Sequence, residues 1–191
     1  VNRDYDSILE CLNYIDKSIT RLEDVIQSLV EYSRNAHYEI SYEQVSVHEF
    51  INEIVDDLAY WPEFKSIKID NLVAHDLKVN TDKARLKIIL HNLISNGIKY
   101  ADPEKDNSYI KISSEKEGRY WRLSIADNGI GIDKEHLNKI FEMYFRASVK
   151  SYGSGLGLYI VKETVVKLGG KIAVDSKPRQ GTTFTASLPL H

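Results

Sequence analysis

Glycine is absent before Gly97 and proline before Pro62, so the first third of the chain lacks the residues that punctuate helices and build tight turns. It therefore reads as strongly helical, with turns and ligand loops concentrated later. A single cysteine, Cys11, excludes an intrachain disulfide and leaves a reducing compartment or no redox constraint. No apolar run approaches the ~18 residues of a membrane span, and the N-terminus lacks the features of a signal peptide. The expected setting is cytoplasmic, without membrane contact from this stretch, any anchor of a longer protein lying in other segments. Basic blocks are also missing. With 25 basic and 28 acidic side chains the formal charge is −3, which indicates neither a nucleic-acid partner nor an anionic membrane surface. The imbalance sits at the front: residues 1–35 carry seven acids against four bases.

The 191 residues, 42% apolar and 28% charged, suffice for one domain with a proper core, alone or with an appendage. Ile8, Leu12, Ile15, Ile19, Leu22, Ile26 and Leu29 recur at alternating spacings of four and three, a heptad seam on a segment from about residue 4 to residue 34. A lone helix has nothing against which to bury so narrow a stripe. Packing on its own domain is one solution. The strict 3.5 period favours a bundle or coiled coil, with the partner helix upstream of Val1 or in a second subunit.

Further along, Val47, Phe50, Ile51, Ile54, Val55 and Leu58 have helical period, with Pro62 as a stop. "IKIDNLV" and "DLKVN" read as short strands around a turn, after which Thr81 or Asp82 caps a helix reaching about Tyr100. Alternating strands flank Glu117-Gly118, a hairpin signal. "DKEHLNKIF" reads as a short helix, and 155–168 as a longer one closed by Gly169-Gly170. Two strands around the turn from Pro178 to Gly181 finish the chain. Helices alternate with hairpins, so the expected class is α+β, a two-layer sandwich of one mixed sheet under helices, preceded by a long N-terminal helix.

Three constellations carry chemistry. In "ARLKIILHNLISNGIKYA" the residues Leu86, Ile89, Leu90, Leu93 and Gly97 form the buried stripe, and Asn92, Asn96 and Lys99 line up beside it at i, i+4 and i+7. Singly, each suits solvated helix surface. Together they offer amide oxygens to a hard cation and an ammonium to phosphate. In "IADNGIGI" an apolar strand delivers Asp127 to the rim of the sheet, where its carboxylate serves either as turn chemistry or as acceptor for an exocyclic amino group. In "SYGSGLGLYI" the glycines at 153, 155 and 157 open a helix, suiting a phosphate or merely a mobile turn. This spacing is not the dinucleotide fingerprint, since Leu158 stands where a small residue is required and no strand precedes it.

The ordered set "HNLISNGIKYA", "DNGIGI", "FEMYFRAS", "GSGLGLYIVKE" and "GTTFTASLP" resembles the asparagine, glycine and phenylalanine boxes of sensor histidine kinases, within the GHKL superfamily. The likeness covers about residues 40–190. Upstream, "YIDKSITRLEDVIQSLVEYSR" resembles the second helix of the dimerisation and phosphotransfer hairpin. The resemblance implies a Bergerat fold over 39–191, a partial hairpin over 1–38, a homodimer built through paired hairpins, and a response-regulator receiver domain as partner.

It further implies ATP and Mg²⁺ as ligands. Asn96 would hold Mg²⁺, with Asn92 assisting or holding phosphate. Lys99 would contact phosphate, Tyr100 would line the pocket, and Asp127 would take the adenine amino group above a floor of Gly129, Ile130 and Gly131. Arg146 would reach the γ-phosphate. Gly153, Gly155 and Gly157 would hinge an ATP lid and, with Ser154, Leu156 and Leu158, bind the nucleotide, and "RASVKSYGSG", residues 146–155, is expected to be poorly ordered without it. Thr182 or Thr183 would close the adenine side. Phe141, Tyr144 and Phe145 are expected to pack the lid. ATP-hydrolysing relatives of the superfamily place a water-activating glutamate where this chain has Asn92, and an amide cannot act as a base at neutral pH. That favours a kinase over an ATPase. The acceptor histidine is expected upstream of Val1, so this stretch would not phosphorylate itself. His48-Glu49 mimics the acceptor pair, but its context makes it a surface or cap-region residue. A GHKL serine kinase of anti-sigma type and a nucleotide-independent interaction module are the competing readings.

Overall fold

The computed structural model describes residues 11, 12, 15, 18, 19, 22, 23, 25, 26, 29, 30, 32, 33, 38–61, 64, 66–147 and 154–190. The described residues between 11 and 33 are helical, and Leu12, Ile15, Ile19, Leu22, Ile26 and Leu29 are 44–62% exposed. The heptad seam therefore faces solvent at each described position, and Ile8 lies outside the described residues. Among the described residues no helix is long and apolar enough to cross a membrane.

Ten elements follow. β1 (Glu43–Ser46) leads into helix α1 (Val47–Leu58), then β2 (Ile67–Asn71), β3 (Lys78–Thr81), helix α2 (Lys83–Lys99), β4 (Ser108–Glu117), β5 (Tyr120–Asp127), helix α3 (Gly157–Lys167), β6 (Lys171–Lys177) and β7 (Gly181–Pro189). Five strands make a mixed sheet in the order β2-β4-β5-β7-β6, with β2 parallel to β4 and the other neighbours antiparallel. The sheet and helices give the expected α+β architecture.

Two local readings are corrected. β2 and β3 are not partners in a hairpin: β3 pairs with β1 in a separate two-stranded ribbon, Val45 opposite Val79. The segment 133–141 forms linked turns rather than a helix, through bonds such as His136 N–H to the Asp133 carbonyl at 2.9 Å and Lys139 N–H to that of His136 at 2.8 Å. These are mainly three-residue spacings, with a single i to i−4 bond from the Ile140 amide to the His136 carbonyl at 3.1 Å, so turns close without a continuous α-helical ladder. Pro62 lies outside the described residues.

Helix ends follow their residues. Asp82 accepts the Arg85 amide at 2.9 Å and caps α2. At the far end of α3, Gly169 adopts φ +75°, and the amides of Gly169 and Gly170 return to the carbonyls of Val166 and Val165, each at 2.9 Å. This is a Schellman closure, which a side chain at 169 would strain. Across the layer, Ile51, Ile54 and Leu58 of α1, Leu86, Leu90 and Leu93 of α2, and Val161 and Val165 of α3 pack above Ile110, Ile112, Leu123, Ile125 and Ala186 of the sheet. Because Leu90 is fully buried, Leu90→Ala is expected to cost about 2–5 kcal/mol, read from the urea midpoint at constant slope.

His48 sits in the cap region, in the first turn of α1 after Ser46, but it is not on the surface. It is 8% exposed, its Nδ1 lies 2.7 Å from the Val73 carbonyl, and its ring lies 3.7 Å, centre to centre, from that of His75 at a tilt of 42°. The side chain is part of the packing between α1 and the segment after β2.

Candidate nucleotide site

The site grows from the C-terminal half of α2. Gly97 belongs to the buried stripe for a steric reason: a Cβ there would come within 2.8 Å of the Ile110 side chain and 3.7 Å of the Asp127 Cβ. The helix can thus lie against the sheet rim at Asp127. One turn on, the Tyr100 carbonyl accepts the Ile130 amide at 3.0 Å, and a Cβ on Gly129 would meet that carbonyl at 2.2 Å. The end of α2 and the loop after β5 are clipped together through backbone.

Asp127 is half-buried. Its Oδ1 accepts the Gly129 amide at 2.8 Å and the Thr182 amide at 3.2 Å. Its Oδ2 has no hydrogen-bond partner among the described residues. Burial pushes the carboxyl above its ordinary value, against the two amides and the nearby Lys105 ammonium, which pull it down. The result is a fixed acceptor with one oxygen tied to backbone and the other available.

The strand on the far side supports it. Gly181 runs so close that a Cβ would sit 2.0 Å from the Asp127 carbonyl, and its φ of +114° suits glycine alone. Thr182 is buried, with its hydroxyl 2.8 Å from that of Ser176, while Thr183 alternates to the opposite face of β7. Of the two threonines, Thr182 is the one bonded to Asp127.

Near the middle of α2, Asn92 meets the start of α3. Its Nδ2 donates to the Ile88 carbonyl at 2.9 Å, and a Cβ on Gly157 would lie 2.7 Å from its Oδ1. Gly157 thus lets the first turn of α3 approach Asn92. One turn along, the Asn96 carboxamide is half-buried and has no hydrogen-bond partner among the described residues. Lys99 places its ammonium 5.1 Å from the centre of the Trp61 ring.

The lid region is described in part. Gly155 adopts φ +73° and its carbonyl accepts the Tyr144 amide at 3.0 Å, so the end of the glycine loop is tied to the segment before Arg146. The Ser154 hydroxyl accepts the Leu156 amide at 3.3 Å, Leu156 is buried, and Leu158 packs against the core. Phe141 lies edge-on to Phe184 of β7 at 6.3 Å and Phe145 beside His136 at 5.6 Å, whereas Tyr144 is exposed. Arg146 is exposed. Gly153, like the rest of 148–153 within the stretch 146–155 expected to be poorly ordered, lies outside the described residues.

The sequence reading missed Lys105, Asn128 and Ser176. Asn128 Oδ1 accepts the Tyr109 amide at 2.8 Å while its Nδ2 donates to the Asn107 carbonyl at 2.9 Å. Ser176 accepts the Ile132 amide at 2.9 Å. An asparagine beside Gly129 is the one signal available, since that pair marks side-chain-bonded turns.

Among the described residues no group of three or more His, Cys, Asp and Glu side chains could hold a metal ion. A hard cation here would share Asn96 with oxygens of a polyphosphate, as Mg²⁺ does when it keeps waters and substrate phosphates around it. The Asn96 carboxamide, without a hydrogen-bond partner among the described residues, fits such a cation.

A family model described as histidine kinase-, DNA gyrase B-, and HSP90-like ATPase matches residues 81–191. Sensor histidine kinase WalK of Bacillus subtilis (strain 168) is 33% identical over 181 residues, covering 93% of this chain and 29% of WalK. Sensor-like histidine kinase SenX3 of Mycobacterium tuberculosis (strain ATCC 25618 / H37Rv) is 34% identical over 175 residues, covering 88% of this chain and 42% of SenX3. The chain thus spans less than half the length of either relative. The crystal structure of histidine kinase ThkA with response regulator protein TrrA matches at TM-score 0.74 and 26% identity, over 95% of this chain and 51% of that one. The chain belongs to the histidine kinase-, DNA gyrase B- and HSP90-like ATPase family, as an ATP-binding catalytic domain of the sensor histidine kinase kind.

Proposed function

We propose that residues 39–191 bind Mg-ATP between α2, the 127–131 loop and the start of α3, and pass the γ-phosphoryl group to a histidine of a dimerisation hairpin for relay to a response-regulator aspartate. The observation that carries this reading is Asp127, held by two backbone amides with one carboxylate oxygen left to accept a bond from the adenine amino group. Asn96 is the ligand for Mg²⁺, which supplies charge neutralisation at the phosphates. Asn92 stands beside Gly157 and, as an amide, takes no proton from water. The terminal phosphoryl is thereby spared for a protein acceptor. Lys99 and Arg146 are the cations assigned to phosphate, Lys99 by leaving Trp61 and Arg146 from the segment tied to Gly155.

The described part of the N-terminal helical segment, with its solvent-facing seam, is the surface for partner helices of the hairpin bundle. Residues 1–38 are accordingly read as the second hairpin helix, and a second copy as the dimer partner. A complex between a histidine kinase and a response regulator among the structural neighbours supports a receiver domain as the downstream partner.

Calorimetric titration with ADP, with and without Mg²⁺, tests the binding step. Wild type is expected to bind more tightly with Mg²⁺, and Asn96→Ala to lose that gain, about tenfold in affinity. No measurable ADP binding by wild type contradicts the proposal.

A further inference from the structure

Lys105 lies in the loop between α2 and β4, and nothing in its sequence surroundings, "ADPEKDN", marks it for function. The loop is itself ordered by Asp102, whose carboxylate accepts the Glu104 amide at 3.0 Å and whose carbonyl accepts the Lys105 amide at 3.1 Å. From there the Lys105 ammonium donates to two backbone carbonyls far apart in sequence, those of Asn128 and, at 2.8 Å, of Arg179. It also lies 4.0 Å from the Asp102 carboxylate.

Those two carbonyls flank the pieces of backbone that grip Asp127. Asn128 sits between Asp127 and Gly129, whose amide holds Oδ1. Arg179 occupies the β6–β7 turn at φ +61°, its amide bonded to the Ile130 carbonyl at 2.7 Å, two residues before Gly181 presses against the Asp127 carbonyl. Thr182, the second amide donor to Oδ1, comes next. The ammonium has three donors and can satisfy two carbonyls and a carboxylate that would otherwise repel one another. Hydrogen bonds from a charged donor exceed neutral ones in strength.

We infer that Lys105 is a positioning residue for nucleotide recognition: it joins the Asp127–Gly131 loop to the β6–β7 turn and thereby sets both amides that aim the Asp127 carboxylate. The inference rests on the proposed role of Asp127 toward the adenine amino group. Removing Lys105 leaves the Arg179 amide to Ile130 carbonyl bond as the remaining tie at the turn and loosens the two segments, so the carboxylate loses part of its alignment and of its preference for a base that donates at that place. Guanine, with a carbonyl instead of the amino group, is the control ligand.

The test titrates the full 191-residue chain with ADP and with GDP in Mg²⁺. Lys105→Met is expected to weaken ADP binding about tenfold and to narrow the preference for ADP over GDP by a similar factor. Lys105→Arg, which keeps charge and donors, restores most of both. If Lys105→Met fails to fold, Lys105→Gln gives the same comparison with the charge removed. Wild-type affinity and preference in the Met or Gln variant overturn the inference, as does a lowered melting temperature with preference intact, the mark of a purely structural lysine. Absence of ADP binding in wild type is a separate result, which removes the reading of Asp127 itself.

Discussion

Asp127→Asn is expected to lower ADP affinity by about a hundredfold while leaving the melting temperature unchanged or raised. The asparagine oxygen can still accept the Gly129 and Thr182 amides. Its NH₂ then stands where the free carboxylate oxygen was, and a donor faces the donor of the adenine amino group. Stability should not follow affinity. Burial raises the Asp127 pKa, so the folded state binds its proton more tightly than the unfolded chain does, and the ionised form costs stability at neutral pH. That cost is relieved as pH falls through the raised value, and it is absent in asparagine. Nucleotide affinity runs the other way: protonation removes the acceptor, so ADP binding should fade on the acid side at a higher pH than an ordinary aspartate would give. Titrations across pH, with thermal melts on the same samples, check both halves.

Arg85→Leu is expected to destabilise the domain by about 3–5 kcal/mol, because it strands a buried carboxylate. Arg85 and Asp82 are each about 4% and 3% exposed and form a direct ion pair. The guanidinium also donates to the carbonyls of Tyr38, at 2.6 Å, and Glu39, at 3.2 Å, while Asp82 Oδ2 accepts the Ser41 amide at 3.0 Å. The Lys167 ammonium reaches the same Tyr38 carbonyl at 3.0 Å. One buried pair thus caps α2 and fastens 38–41 to the domain. Burial alone would raise the Asp82 pKa, but the Arg85 and Ser41 amides and the Arg85 guanidinium together hold it below the usual carboxylate range. A lowered folded value means that this stability is present above the unfolded value and is lost as pH falls through the folded one. Urea unfolding at neutral and at acid pH checks this: the gap between wild type and Arg85→Leu should shrink in acid.

What sequence could supply was the period and the punctuation. The stripe of α2, the Glu117-Gly118 hairpin and the Gly169 closure are local patterns, and each forms where its residues indicate. The pairing of β2 with β4 is parallel and crosses α2, so no local pattern reports it, and the short gap between β2 and β3 suggests a hairpin that the structure does not make. His48 reads as surface because a helix start is usually wet; Val73, brought in from 25 residues away, buries it. The site divides the same way. Asn96, Asp127 and Gly129 stand out by spacing and turn chemistry, whereas Lys105 matters only once Asn128 and Arg179 converge on it. Gly97, Gly129, Gly157 and Gly181 mark close approaches whose partners only the fold reveals.

The most direct measurement of the central claim supplies the acceptor in trans. The chain is mixed with Mg²⁺, radiolabelled ATP and a separate polypeptide carrying a first hairpin helix with its histidine, and phosphate on that polypeptide is assayed for acid lability. The account predicts acid-labile, base-stable phosphate on the histidine, dependent on Asn96 and Asp127. Acid-stable phosphate on serine, or no transfer despite nucleotide binding, would contradict it.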